Sequence, residues 1–468
     1  MTPALAARRR ARPYHALGAT FAIVLAACAG DGPGTGPGTC TVTGSAAPLG
    51  GAATITIDPT SRFQTIQGFG ASLALFDDPH LTETFDPATG RAAVIPPATD
   101  QAKILDLLYR DLGLTRVRVN PDGIEDTNDN ADPNVADLSK FDFAWRRSDG
   151  FIAAIQQVVP RGVTTFFASP ITIEPWMSET NPAEYAEFVL VMLRHWRDAG
   201  LEMPYYSLMN EPGFERSGYW SGAWLRDVAR ILGPRMAAEG LKTKLVVPDD
   251  LNASEAYGRL QTILADPDAR KYIGAVAYHL YGRGEEDAVR DLAEQYGIPI
   301  WMTEYSTPGD WLAWAAIMQQ LLVDDDVSAV DYLWGYFGDW DGSQLIRIRL
   351  SGSSYAGYDI NRHYYVMGQY SRYVRPGAVR IASSSAEPEV KVAAFSDAGK
   401  LVVVATNLGA TAHTVDAALG GGVTCTGGFD AVRTSATESW TSLPVVAMDG
   451  TRFSATLPAK SITTFVSR

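Results

Sequence analysis

Two glutamates in the middle of the chain sit where they could do chemistry. One apolar run ends in Asn210-Glu211-Pro212, and another reads Trp301-Met302-Thr303-Glu304-Tyr305-Ser306. A single glutamate closing a strand is an ordinary surface or capping residue. Two carboxylates facing each other across a pocket are what hydrolysis of a glycosidic bond requires. At about 5.5 Å and an effective dielectric near 20, two unit charges repel by roughly 3 kcal/mol, enough to raise one pKa by about 2 units. One glutamate then stays protonated as the acid while the other, ionised, attacks the sugar. When that charge vanishes into an ester the repulsion goes with it, and the first glutamate becomes the base that activates water.

Further polar and aromatic residues fall near the same strand ends. Arg118 could keep a nucleophile ionised by pairing with it, or belong to a structural ion pair elsewhere. His279 and Tyr281 follow the strand preceding Glu304; the tyrosine hydroxyl is suited to orienting that carboxylate, and the histidine is either part of the site or a satisfied structural residue. Trp334 is a candidate platform beneath a reacting sugar ring and Trp176 for a neighbouring subsite, with core packing the alternative for both. Glu174, Asp249 and Asp250 could bind sugar hydroxyls. No H-E-x-x-H, paired C-x-x-C, Walker loop or G-x-S-x-G occurs, so no metal, nucleotide or other cofactor is expected.

Something must hold these residues on one face. Eight short β-branched and aromatic runs alternate with amphipathic stretches: 63–70, 114–120, 164–170, 205–212, 244–250, 275–282, 300–306 and 329–337. Helical patterns between them include 101–113, 183–200 and 221–240. This is the pattern of an α/β fold, a (β/α)8 TIM barrel, whose chemistry sits at the C-terminal ends of the strands. Glu211 then ends strand four and Glu304 strand seven. Two long loops, 120–140 and 338–359, are of the length that usually serves function. After Arg375-Pro376-Gly377 the helical period stops and short alternating runs take over, as in a β-sandwich.

The body of the chain is acidic. Its 468 residues carry a net charge of -14, more negative by four when Arg8, Arg9, Arg10 and Arg12 are set aside. Phosphate backbones and anionic lipid would be repelled, so nucleic acid is excluded and a neutral polymer or oligomer is favoured. Eleven tryptophans suit stacking on sugar faces; Trp176, Trp220, Trp334 and Trp340 fall after strand ends. The basic stretch 8–12 followed by an apolar run to Ala27 reads as a secretion signal, 1–27. Leu25-Ala26-Ala27-Cys28 resembles a bacterial lipobox, with Cys28 lipidated, while Ala27-Cys28-Ala29 also satisfies an ordinary signal peptidase site. Residues 28–52 form a Gly/Pro/Thr-rich linker. Two thiols remain, Cys40 and Cys425, either unpaired or joined in a disulfide that would bring the post-linker segment beside the C-terminal region.

At the glutamates the chain also resembles the retaining glycosidases of clan A, and among them glycoside hydrolase family 30. The stretches that carry the likeness are TIQGFGAS, SLMNEPGF, AYHLYG, WMTEYS, YLWGYF and YYVMGQYSRYVRPGAVRI. The resemblance implies a barrel over 63–377 and a sandwich over 378–468 that takes up an N-terminal strand at 53–62, an arrangement that supports pairing of Cys40 with Cys425. It makes Glu211 the acid/base, Glu304 the nucleophile, and Asn210 a donor to the sugar 2-hydroxyl. It points to an endo-β-1,4-xylanase; with the leader read above, the expectation is an exported monomer that touches a membrane only through an N-terminal lipid. The Arg-rich segment with Tyr-Gly of the glucuronoxylan-specific branch is absent from GYFGDWDGSQLIRIRL, so strict dependence on the uronic acid is not expected. Arg347 and Arg349 are the possible substitutes. A β-1,6-glucanase or other family 30 β-glycosidase, and a non-catalytic glycan-binding lipoprotein, are the alternatives.

Overall fold

The structure is a computed structural model. It describes residues 40–42, 54–78, 81, 94–171, 174, 176–214, 219–338, 342–352, 354–421 and 423–468. The leader, Cys28, most of the linker and Trp340 lie outside the described residues.

Eight parallel strands close into a barrel in sequence order: Gly68–Ser72, Arg116–Val119, Thr165–Ala168, Tyr205–Ser207, Lys244–Asp250, Ile273–Tyr278, Ile300–Met302 and Val327–Tyr332, the eighth pairing with the first. Val117, Phe167, Val246, Val276, Met302 and Val330 are buried along these strands. Long runs that are buried on both faces are the mark of a parallel sheet wrapped by helices. Arg116 and Asp331 form a fully buried ion pair in the barrel, Nη2 to Oδ2 2.8 Å, with the guanidinium 4.0 Å from the Trp301 ring centroid. Gly70 exists for this pair. A Cβ there would lie 2.2 Å from Asp331 Oδ1 and 2.6 Å from Arg116 Cβ.

The first strand begins five residues later than its pattern suggests. Ile55–Thr65 is one long strand that pairs antiparallel with Val379–Ser385, and Thr65 still opposes Val379. Residues 63–65 therefore belong to the C-terminal sheet, and Ile66 N donates to Ala378 O at the junction.

That sheet has nine strands, with Arg452–Leu457 at one edge and Thr441–Val446 at the other. Phe453 nevertheless sits 4.7 Å from Phe429 and 5.4 Å from Phe465, both from strands near the opposite edge. The sheet is thus folded over itself into a sandwich. Cys40–Val42 pairs with Val423–Cys425, and Cys40 and Cys425 form a disulfide across the register, the expected pairing.

The stretch 338–359 is not an open loop. Ile346–Ser351 and Ser354–Ile360 form a hairpin, with Arg347 opposite Asp359. Arg347 and Arg349 both pair with Asp359, at 2.7 and 3.1 Å, so their charges are used across the hairpin.

Candidate active site

Strand four stops at Ser207, earlier than its apolar pattern. Beyond it Asn210 N donates to Pro170 O, and Glu211 N donates to Asp249 O at 2.9 Å. Glu211 takes a left-handed φ of 47°, which a non-glycine residue holds only where its surroundings over-determine it. The turn aims its carboxyl group across the barrel mouth. Glu304 follows strand seven from the facing side. One oxygen of each, together with a nitrogen of His279, lies within 4.8 Å of the others.

Glu304 is gripped at both oxygens. Arg118 Nη1 donates to Oε2 at 2.5 Å, and Tyr281 OH donates to Oε1 at 2.8 Å. Burial would raise this carboxyl, but Arg118, His279 and the Tyr281 hydroxyl outweigh it and hold the pKa below the ordinary value. An ionised carboxylate is the result. Arg118 also donates to Asn210 Oδ1 and to Ser169 Oγ. Because a guanidinium only donates, Asn210 is turned with its amide donor end away from Arg118.

His279 stands between the two glutamates. Its Nδ1 is 2.8 Å from Glu211 Oε1 and 4.0 Å from Glu304 Oε1, and its Nε2 is 3.5 Å from Asp249 Oδ1. Burial would lower its pKa, yet Glu304, Asp249 and Glu211 together push it up to about 9. The sequence suggested two carboxylates in bare opposition. In the structure an imidazole with a raised pKa stands beside both, so their division of labour is set by three groups.

The raised imidazole couples to stability with a definite sign. A group that binds its proton more tightly when folded contributes fully below its unfolded pKa and loses that contribution as the pH rises through the folded value. The shift from 6.5 to about 9 corresponds to roughly 3 kcal/mol. Urea unfolding at a series of pH values should show wild-type stability falling between pH about 6.5 and about 9, with His279→Gln lacking this decline. An identical slope in both proteins would remove the buried cation from the site.

Asp249 is the hub that the sequence reading left in second rank. It is fully buried, has φ 61°, and accepts from Ser169 Oγ at 2.5 Å and from Thr303 Oγ1. Burial would raise its pKa, but His279, Arg118 and these hydroxyls hold it well below the carboxylate range. Asp249 therefore anchors both cations of the site. Ser169 and Thr303 gave no sequence signal, because small polar residues close many strands. Asp250 instead pairs with Arg259 at 2.7 Å.

The aromatic candidates divide. Trp334 is half-buried after strand eight and stacks on Phe337 at 4.2 Å. Trp176 is half-buried, its Nε1 donating to Glu125 O at 2.9 Å, which ties it to the loop after strand two. Trp220 is buried against Trp224 at 4.5 Å.

A closed parallel barrel that brings two glutamates, a buried arginine and a histidine to its C-terminal mouth has the parts that glycoside hydrolysis uses. The glycosyl hydrolase family 30 beta sandwich domain matches residues 377–465. The chain is 26% identical over 435 residues to putative glucosylceramidase 1 of Caenorhabditis elegans, covering 77% of this chain and 78% of that protein. It is 27% identical over 319 residues to the glucuronoxylanase XynC of Bacillus subtilis (strain 168), covering 65% and 70%. Among solved structures, a family 30 subfamily 8 xylanase from Clostridium acetobutylicum superposes with a TM-score of 0.68 at 24% identity, covering 88% of this chain and 99% of that one. These matches give the chain a C-terminal family 30 beta sandwich domain and a likeness to family 30 glycoside hydrolases, and they support a glycosidase.

Proposed function

We propose that this protein is a retaining β-glycoside hydrolase acting on β-1,4-xylan, with Glu304 as nucleophile and Glu211 as acid/base. The observation that carries the reading is the approach of the two carboxyl groups to within 4.8 Å, oxygen to oxygen. Inverting enzymes need about 6.5–9.5 Å to admit a water between their carboxyls, whereas about 5–5.5 Å favours direct attack. In the first step a Glu304 oxygen bonds to the anomeric carbon, and the glycosidic oxygen leaves with the proton of Glu211. In the second, Glu211 takes a proton from water, the water oxygen bonds to the anomeric carbon, and Glu304 is released. His279, donating from Nδ1 to Glu211 Oε1, steers the mobile proton to Oε2. Asn210 presents its amide donor to the sugar 2-hydroxyl.

Xylan is supported by the likeness to a glucuronoxylanase and to a xylanase fold. The pairing of Arg347 and Arg349 with Asp359 supports a pocket that does not grip a uronic acid. A second reading, another β-glycosidase specificity such as glucosylceramide or β-1,6-glucan, is favoured by the longer match to a putative glucosylceramidase. Reducing-sugar release across xylan, glucuronoxylan, β-1,6-glucan and glucosylceramide separates them. Release from both xylans at comparable rates is expected; activity confined to glucan or to the glycolipid would overturn the xylan assignment.

We further propose export to the cell surface as a lipoprotein anchored at Cys28, with ordinary signal cleavage and secretion as the alternative. The Cys40–Cys425 disulfide fits an oxidising compartment. Among the described residues no helix is long and apolar enough to cross a membrane. Mass spectrometry of the mature N-terminus decides: a diacylglyceryl adduct on Cys28 supports the anchor, an unmodified terminus refutes it.

A further inference from the structure

The loop after strand two is the largest feature that the catalytic reading leaves unused. It carries Glu125, Asp129 and a run of Asx turns, and it packs on the helix Pro182–Asp198, whose first two turns present Glu184 and Glu187. At i and i+3 these two side chains share one face. One carboxylate oxygen from each of Asp129, Glu184 and Glu187 lies within 4.8 Å of the other two. Glu184 and Glu187 are only 4% and 5% exposed.

Acidic residues crowd together on many surfaces without consequence. Here a separate observation points inward: Glu187 Oε1 is shielded from solvent and has no hydrogen-bond partner. A buried carboxylate oxygen left without a donor is costly. Arg235 acts on Glu187 through space, but it donates to Pro133 O at 2.7 Å and to Asn134 Oδ1 at 3.0 Å. Three carboxylates this close repel one another, and one of their buried oxygens lacks a donor.

We propose that Asp129, Glu184 and Glu187 bind a calcium ion that clamps the loop after strand two to this helix. The donor set is all oxygen with neither His nor Cys, which suits a hard cation. Calcium–oxygen distances of about 2.3–2.6 Å allow ligand oxygens on opposite sides of the ion to stand up to about 5 Å apart, and calcium tolerates the irregular shell that three side chains leave to be completed by carbonyls and water. Glu125 supports the arrangement from behind, its Oε1 accepting from Asp129 N at 2.6 Å. The clamp reaches the catalytic face through Trp176, whose indole is held by the Glu125 carbonyl.

The test uses the full chain stripped with EGTA and exchanged into chelator-free buffer. Calorimetric titration with calcium chloride should show one equivalent bound, and saturating calcium should raise the Tm by about 3 °C or more, with magnesium at the same concentration giving less than half of that. Glu187→Gln should weaken calcium binding at least tenfold while melting, in chelator, no lower than stripped wild type, because it removes an uncompensated buried charge. Asp129→Asn gives a second reading on the loop side, with the same loss of calcium response. Stripped wild type that neither binds calcium nor gains stability would overturn the proposal, as would Glu187→Gln and Asp129→Asn responding to calcium like wild type. A magnesium response equal to that of calcium would overturn the choice of ion.

Discussion

Glu304→Ala is expected to lose roughly 10^4-fold in kcat, about 5.5 kcal/mol of barrier lowering, without unfolding the protein. The reason is geometric. The substituted side chain is the one whose two oxygens are held by Arg118 and Tyr281, so on the proposed mechanism removing it deletes the attacking atom and leaves the acid across the mouth in place. The variant also carries a diagnostic void. Azide added to it with a substrate bearing a good leaving group should enter from the face where Glu304 stood, restore turnover and give a glycosyl azide of inverted configuration. Full turnover in Glu304→Ala would disprove the nucleophile assignment, and rescue with retained configuration would move the nucleophile elsewhere.

Arg118→Met is expected to have the largest effect on stability, about 3–5 kcal/mol, because it strands buried charge. Arg118 is buried, pairs with Glu304 at 2.5 Å and lies 3.8 Å from Asp249. Without it, burial dominates Glu304 and its pKa rises. The acid limb of the kcat/KM profile should then shift to higher pH, which a purely structural arginine would not cause. Arg118→Lys keeps the charge but loses the fork that reaches Glu304 and Asn210 together, and should fall between the two. Urea unfolding reads the first effect and the pH profile the second. An unmoved acid limb in Arg118→Met, whatever the stability, would remove Arg118 from the control of the nucleophile.

The parts of this site that could be read from the sequence are those that punctuate a strand. Glu211 and Glu304 each close an apolar run, and Arg118, His279 and Tyr281 follow the same rule, so a barrel places them at one mouth before any contact is known. What could not be read is what depends on contacts between strands. Asp249 looked like one of two adjacent aspartates; only the barrel shows that it accepts from Ser169 and Thr303 and lies 3.5 Å from His279 Nε2, while Asp250 turns to Arg259. Strand ends also shortened where local pattern had no competitor in view. Residues 205–212 read as one strand, but tertiary hydrogen bonds to Pro170 and Asp249 end the ladder at Ser207 and release Asn210 and Glu211 into the mouth. The hairpin at 346–360 did carry a signal, the alternation in IRIRL, masked by the expectation of a loop between barrel and last helix. The disulfide was legible only as one of two readings, since Cys40 and Cys425 could pair or stay free, and the resemblance to family 30 favoured the pairing that the structure shows.

The central claim is that Glu304 attacks the sugar directly while Glu211 protonates the leaving oxygen. Proton NMR of the first product formed from a β-linked xylo-oligosaccharide, or from whichever β-glycan the substrate panel selects, tests it before mutarotation blurs the answer. The account predicts that the β-anomer is released first; release of the α-anomer would mean a single displacement by water and would contradict it.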